Sequence, residues 1–125
     1  MRLIARIIFG FNFVYQCGVG VVSLFLPDNI VALYSGPTNP DNFLMSAFRI
    51  LGANMLFGGI VSAYISWNPD KNPILLRLMG ILSFLTLVCW GIVYFQKELP
   101  LQTLLLDIVV QFLILIVVIG YKPSK

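Results

Sequence analysis

Residues 43–95 read FLMSAFRILGANMLFGGIVSAYISW, then NPDKNP, then ILLRLMGILSFLTLVCWGIVYF. The two outer runs, Phe43–Trp67 and Ile74–Phe95, hold 25 and 22 residues. A helix that crosses a bilayer takes about 20 mostly apolar residues. Proline cannot continue a helix, and Asn and Asp accept turns, so Asn68-Pro69-Asp70-Lys71-Asn72-Pro73 ends one helix and starts the next. Working outward, Leu3–Leu26 is a third such run, stopped by Pro27-Asp28-Asn29, and Leu101–Gly120 a fourth, set off by Gln96-Lys97-Glu98-Leu99-Pro100. A membrane barrel would alternate apolar and polar residues over segments of about 10 residues, and no run here does so. Backbone in hydrocarbon must satisfy its own hydrogen bonds, which leaves helices. The expected architecture is an all-α bundle of four transmembrane helices, about 3–26, 43–67, 74–95 and 101–120. It forms one integral membrane domain, 1–125.

Composition agrees. The chain has 125 residues, 59% apolar and 10% charged, with a mean hydropathy of +0.95. Soluble domains run at about 45–50% apolar and about 25% charged. No histidine is present, which removes His-ligated haem, His-based zinc and His general bases. Two cysteines, Cys17 and Cys89, cannot cage a metal. Without C-x-x-C spacing and in apolar surroundings they read as packing residues. Asp107 is the only carboxylate expected inside a span, with no His or Lys beside it. No catalytic residue, metal or cofactor is therefore assigned, and an enzyme is not expected. A proton-coupled small multidrug exporter carries a Glu in its first helix, where this chain has Asn12 and Gln16. A voltage sensor needs several spaced arginines.

Charge sets the expected orientation. Arg2, Arg6, Lys71, Arg77, Lys122 and Lys125 fall on one side with a single anion, Asp70, for +5. Arg49 and Lys97 fall on the other with Asp28, Asp41, Glu98 and Asp107, for −2, and the two sides together give the net +3. Lys and Arg collect on the cytoplasmic side, so the chain is expected in the cell membrane, multi-pass, with both termini cytoplasmic. No basic face interleaves with aromatics in water, so nucleic acid is not an expected partner. Arg2 and Arg6 resemble the start of a signal peptide, but the apolar run is too long for one and no A-x-A-like site follows, so a retained helix is expected. Between the first two spans, Pro27 to Gly36 carries Pro and Asp at a helix start and Gly at its stop. It reads as a short interfacial helix, an anchor in preference to a lid.

Residues three or four apart share a helix face. Asn12, Gln16, Gly20 and Ser23 make one stripe, Gly80, Ser83, Thr86, Trp90 and Tyr94 another, and Thr103, Asp107 and Gln111 a third. The second span has two polar faces: Ser46, Arg49 and Ala53, and Ala47, Asn54, Gly58 and Ser62. Lipid offers no hydrogen bonds, so Asn12, Gln16, Asn54 and Gln111 are expected to face protein or a water-filled cavity. Gly58-x-x-x-Ser62 and Gly59-x-x-x-Ala63 predict close packing of the first two spans. At about 1.5 Å per residue, Arg49 and Asp107 lie at nearly equal depth, roughly 9–10 Å below the outer surface. An ion pair between them is expected, with Thr103 and Gln111 as nearby hydrogen-bond partners, because an embedded charge is costly without a partner; the alternative is that Arg49 snorkels outward and leaves Asp107 without it.

Arg6-Ile7-Ile8-Phe9-Gly10, Leu26-Pro27-Asp28, Leu33-Tyr34-Ser35-Gly36 and Phe48-Arg49-Ile50-Leu51-Gly52-Ala53 together resemble the small bacterial four-helix membrane proteins related to the DoxX-like group. There a glycine-containing first helix ends in a proline and an Arg opens a Gly-rich second helix. The resemblance covers the first two helices and implies the four-helix fold. The group has no single activity to carry over. Two functions fit the residues. One is a non-catalytic structural or accessory subunit, whose partners are membrane lipid and either itself or other membrane proteins. The other is a binder or carrier of a small lipophilic or anionic molecule, with Arg49, Asp107, Asn12, Gln16, Asn54 and Gln111 as the binding residues.

Overall fold

Each polar break in the sequence becomes a helix boundary in the structure, a computed structural model that describes residues 1–33, 39, 41–96 and 101–122, with Thr103 described for its backbone only. The helices are α1 (Arg2–Phe25), α2 (Pro27–Leu33), α3 (Asn42–Trp67), α4 (Pro73–Phe95) and α5 (Leu101–Gly120), with a 3-10 turn at Pro69–Lys71. No strand occurs among the described residues. The expected stop at Gly36, the side chain of Thr103, and Lys97, Glu98 and Lys125 from the charge count lie outside the described residues.

Local chemistry sets these boundaries. The Asp41 carboxylate caps α3 by accepting from Leu44 N at 2.8 Å, which satisfies one of the donors every helix start leaves open. Asn68 and Asn72 flank the 3-10 turn, and Asn72 Nδ2 donates to Asn68 O at 3.1 Å. Pro73 opens α4 at a position where a missing N–H costs nothing. Pro27 does the same for α2, so the proline that ends α1 also begins the next helix.

α1 and α3 pack antiparallel along most of their length, and α4 and α5 form a second antiparallel pair. Glycine sets the first spacing. A Cβ on Gly20 would stand 2.9 Å from Gly52 O, and one on Gly52 would stand 2.7 Å from Gly20 O. A Cβ on Gly59 would stand 2.6 Å from Cys17 Sγ. The backbones meet where side chains are missing, which is how helices associate in lipid. Gly80 plays this part on α4, where a Cβ would stand 2.7 Å from Val118 Cγ1. The two pairs join at the end that holds Met1 and Tyr121. Ala5 and Phe9 of α1, Ile65 of α3, Leu76 and Met79 of α4, and Val110, Ile114 and Val117 of α5 form the apolar core there. At the other end α2 lies on α1 and α3, with Pro27, Ile30 and Val31 buried.

α1, α3 and α4 are each long and apolar enough to cross a membrane, and Leu104–Gly120 of α5 is a shorter apolar stretch. Alongside the apolar core, several polar groups are buried and many large apolar groups lie outside. Asn12 and Ser62 are 0% exposed, whereas Phe43, Trp67 and Phe95 are each 83% exposed. Polar groups inside and large apolar groups outside suit hydrocarbon as the surrounding solvent.

Candidate functional site

The α1 stripe turns fully inward: Asn12, Gln16, Gly20 and Ser23 are all buried. Asn12 Nδ2 donates to Ser62 Oγ on α3 at 2.7 Å, and Gln16 Nε2 donates to Asn12 Oδ1 at 3.3 Å. Gly58 makes room for the Gln16 amide, because a Cβ there would lie 2.5 Å from Gln16 Oε1. A chain of amides and a hydroxyl therefore runs along the α1–α3 seam. A buried amide without a partner would be costly in hydrocarbon, and the seam supplies the partners.

A second cluster links α4 to α5. Trp90 Nε1 donates to Asp107 Oδ2, and Gln111 Nε2 donates to Asp107 Oδ1 at 3.3 Å. Asp107 and Gln111 are buried. The expected Arg49–Asp107 ion pair is not formed. Arg49 is exposed on α3, and α3 packs chiefly on α1 while α5 packs chiefly on α4. Equal depth on two helices does not make them neighbours, and the short α4–α5 connection brings Trp90 to Asp107 instead. Asn54 is also displaced from the expected interior: it is exposed, and its Nδ2 donates to Ile50 O of its own helix at 3.1 Å. Of the six candidate residues, the structure thus buries Asn12, Gln16, Asp107 and Gln111 in two separate clusters and leaves Arg49 and Asn54 on the surface of α3.

A third cluster, at the Met1 end, was not foreseen. Arg2 Nε lies 3.3 Å from Asp70 Oδ2, and the buried Tyr121 donates its hydroxyl to Asp70 Oδ1. Burial, aided by the Asp70 carboxylate, pushes the Tyr121 phenol up to about 12. Beside it, Arg6 Nη2 donates to Trp67 O at 2.9 Å, and Ser66 Oγ donates to Arg6 O at 2.8 Å. The only sequence signal for these contacts was the gathering of Arg2, Arg6 and Asp70 at one end, which gave no pairing.

Among the described residues no group of three His, Cys, Asp or Glu side chains is placed to hold a metal ion. Cys17 and Cys89 are both free thiols. What the buried clusters do chemically is hold helices together: Asn12 to Ser62 ties α1 to α3, and Trp90 to Asp107 ties α4 to α5. Comparison with family models, with curated proteins and with solved structures found no match.

Proposed function

We propose that the chain is a four-span membrane protein that serves as a non-catalytic structural or accessory subunit of a membrane complex. The observation that carries this reading is the outer half of α3. Ser46, Ala47, Arg49, Ala53 and Asn54 are all exposed there, within a helix long and apolar enough to span. An embedded arginine and amide on a lipid-facing surface are costly, and small residues beside them suit close approach of another helix. A neighbouring subunit that pairs with Arg49 resolves the cost. The charge split supports cytoplasmic termini, the 20-residue length of α5 suits a fourth span, and α2 suits the outer interface. The likeness of α1 and α3 to the DoxX-like group fits the same architecture. The second reading, a binder of a lipophilic or anionic molecule, is favoured by a groove beside Arg6 that has a cation at its mouth and apolar walls.

The test is the mass of the protein extracted from its native membrane in mild detergent. The subunit reading expects a defined complex well above 14.0 kDa, which Arg49→Leu dissociates. A wild-type monomer would refute it. Cysteine labelling near Met1 and Lys125 from outside intact cells tests the topology; ready labelling at both ends would reverse the orientation.

A further inference from the structure

We propose that the groove between α1 and α3 at the Met1 end is a binding site for one acidic phospholipid of the cytoplasmic leaflet. The proposal rests on the membrane reading. It deepens the second of the two functions by naming the ligand class and the residues.

The groove has a volume of about 640 Å³ and is lined by Arg6, Gly10, Phe13, Ala63, Ser66 and Trp67. Its chemistry is graded along the membrane normal. Arg6 and Trp67 stand at the helix ends, where a headgroup lies. Gly10, Ala63 and Phe13 continue inward, and the seven steps from Arg6 to Phe13 correspond to about 10 Å of depth at 1.5 Å per residue. Small residues at Gly10 and Ala63 leave the trough, and Phe13 and Trp67 flank it. A cationic mouth over an apolar trough matches a phosphate above an acyl chain.

The Arg6 guanidinium is fixed for this role. Its bond to Trp67 O uses one of five donors, and Ser66 holds the Arg6 carbonyl. The side chain remains exposed, and no ion pair to it is present among the described residues. The nearby carboxylate, Asp70, is engaged by Arg2 and by Tyr121. Arg6 therefore offers a positioned fork of donors to an anion, and guanidinium and phosphate match in bidentate geometry. Basic pockets between helices on the cytoplasmic side are where acidic headgroups bind.

The experiment reconstitutes the full chain in bilayer discs holding equal amounts of phosphatidylglycerol and phosphatidylcholine with matched acyl chains. Lipid retained on the released protein is counted by native mass spectrometry. Wild type is expected to keep one phosphatidylglycerol with at least tenfold preference. Arg6→Gln should bring the preference within twofold of one, and Lys71→Gln should leave it within twofold of wild type. Arg6→Lys, which keeps the charge, should retain part of it and shows that loss in Arg6→Gln is not misfolding. Ala63→Leu, which narrows the trough and leaves Arg6 intact, should reduce retention of both lipids. Equal retention of the two lipids by wild type would overturn the proposal. So would an equal loss in Lys71→Gln and Arg6→Gln, which would mean a diffuse field, or displacement of the lipid by millimolar inorganic phosphate. A chain that does not enter the discs at all would overturn the membrane reading itself, a result distinct from entry without lipid preference.

Discussion

Gly52→Ala is the sharpest test of the α1–α3 seam. The added methyl would stand 2.7 Å from Gly20 O, 2.8 Å from Ser23 Cβ and 2.9 Å from Leu24 N. Ordinary van der Waals contact begins at 3.4 Å, so the shortfall against the carbonyl is 0.7 Å. Two of the three obstacles are α1 backbone, which has no rotamer to move into, so the helices must separate by several tenths of an ångström. Overpacking of this kind costs about 1–3 kcal/mol, and backbone obstacles place it toward the upper end. Alanine regains about 1 kcal/mol of helix propensity over glycine. The net expectation is a loss of about 1–2 kcal/mol. Gly18 supplies the control, because a Cβ there meets nothing within 4 Å. Gly18→Ala should be neutral or stabilising by up to about 1 kcal/mol. Reversible unfolding by sodium dodecyl sulfate titration from mixed micelles measures both. Values for the two substitutions within about 0.5 kcal/mol of one another would refute the close backbone approach, since both would then show only the same glycine-to-alanine propensity gain.

Three further outcomes follow from the clusters. Trp90→Phe removes the indole donor to Asp107 and should destabilise the isolated chain by about 1–2 kcal/mol; Arg49→Met should stay within about 0.5 kcal/mol of wild type in the same titration, and the reverse ranking would restore an Arg49–Asp107 pair. A double-mutant cycle with Asn12→Ala and Ser62→Ala should give a coupling of about 0.6–1.7 kcal/mol; zero coupling would mean that the 2.7 Å hydrogen bond contributes nothing to the seam. The Tyr121 phenol stands at about 12 in the folded chain against 10.0 ordinarily, so the folded state holds its proton more tightly. That stabilisation is fully present below pH 10 and is lost as pH rises toward 12. The stability gap between wild type and Tyr121→Phe, measured across that window, should shrink with rising pH; a constant gap would mean that Tyr121 titrates normally.

What the sequence determined by itself was the set of helices and, on α1, the face each presents. Length and proline placement determine where helices end, because proline cannot continue a helix: Pro27, Pro69 and Pro73 all sit at boundaries in the structure. Periodicity determines direction about a helix's own axis, and so Asn12, Gln16, Gly20 and Ser23 turn inward together. Neither quantity says which helix stands opposite, although the pairs Gly58-x-x-x-Ser62 and Gly59-x-x-x-Ala63 pointed to the α1–α3 seam that forms. On α3 two polar faces competed, and Ser62 became buried while Asn54, on the same face two turns nearer Asn42, did not. Ser62 meets Asn12 of α1 and Ile65 joins the core at the Met1 end, while Asn54 stays exposed. Only tertiary structure decided that, along with the partner of Asp107 and the Arg6 groove. A hydrogen bond needs lateral contact as well as equal depth: the glycines let α1 and α3 meet, and the short α4–α5 connection pairs α5 with α4.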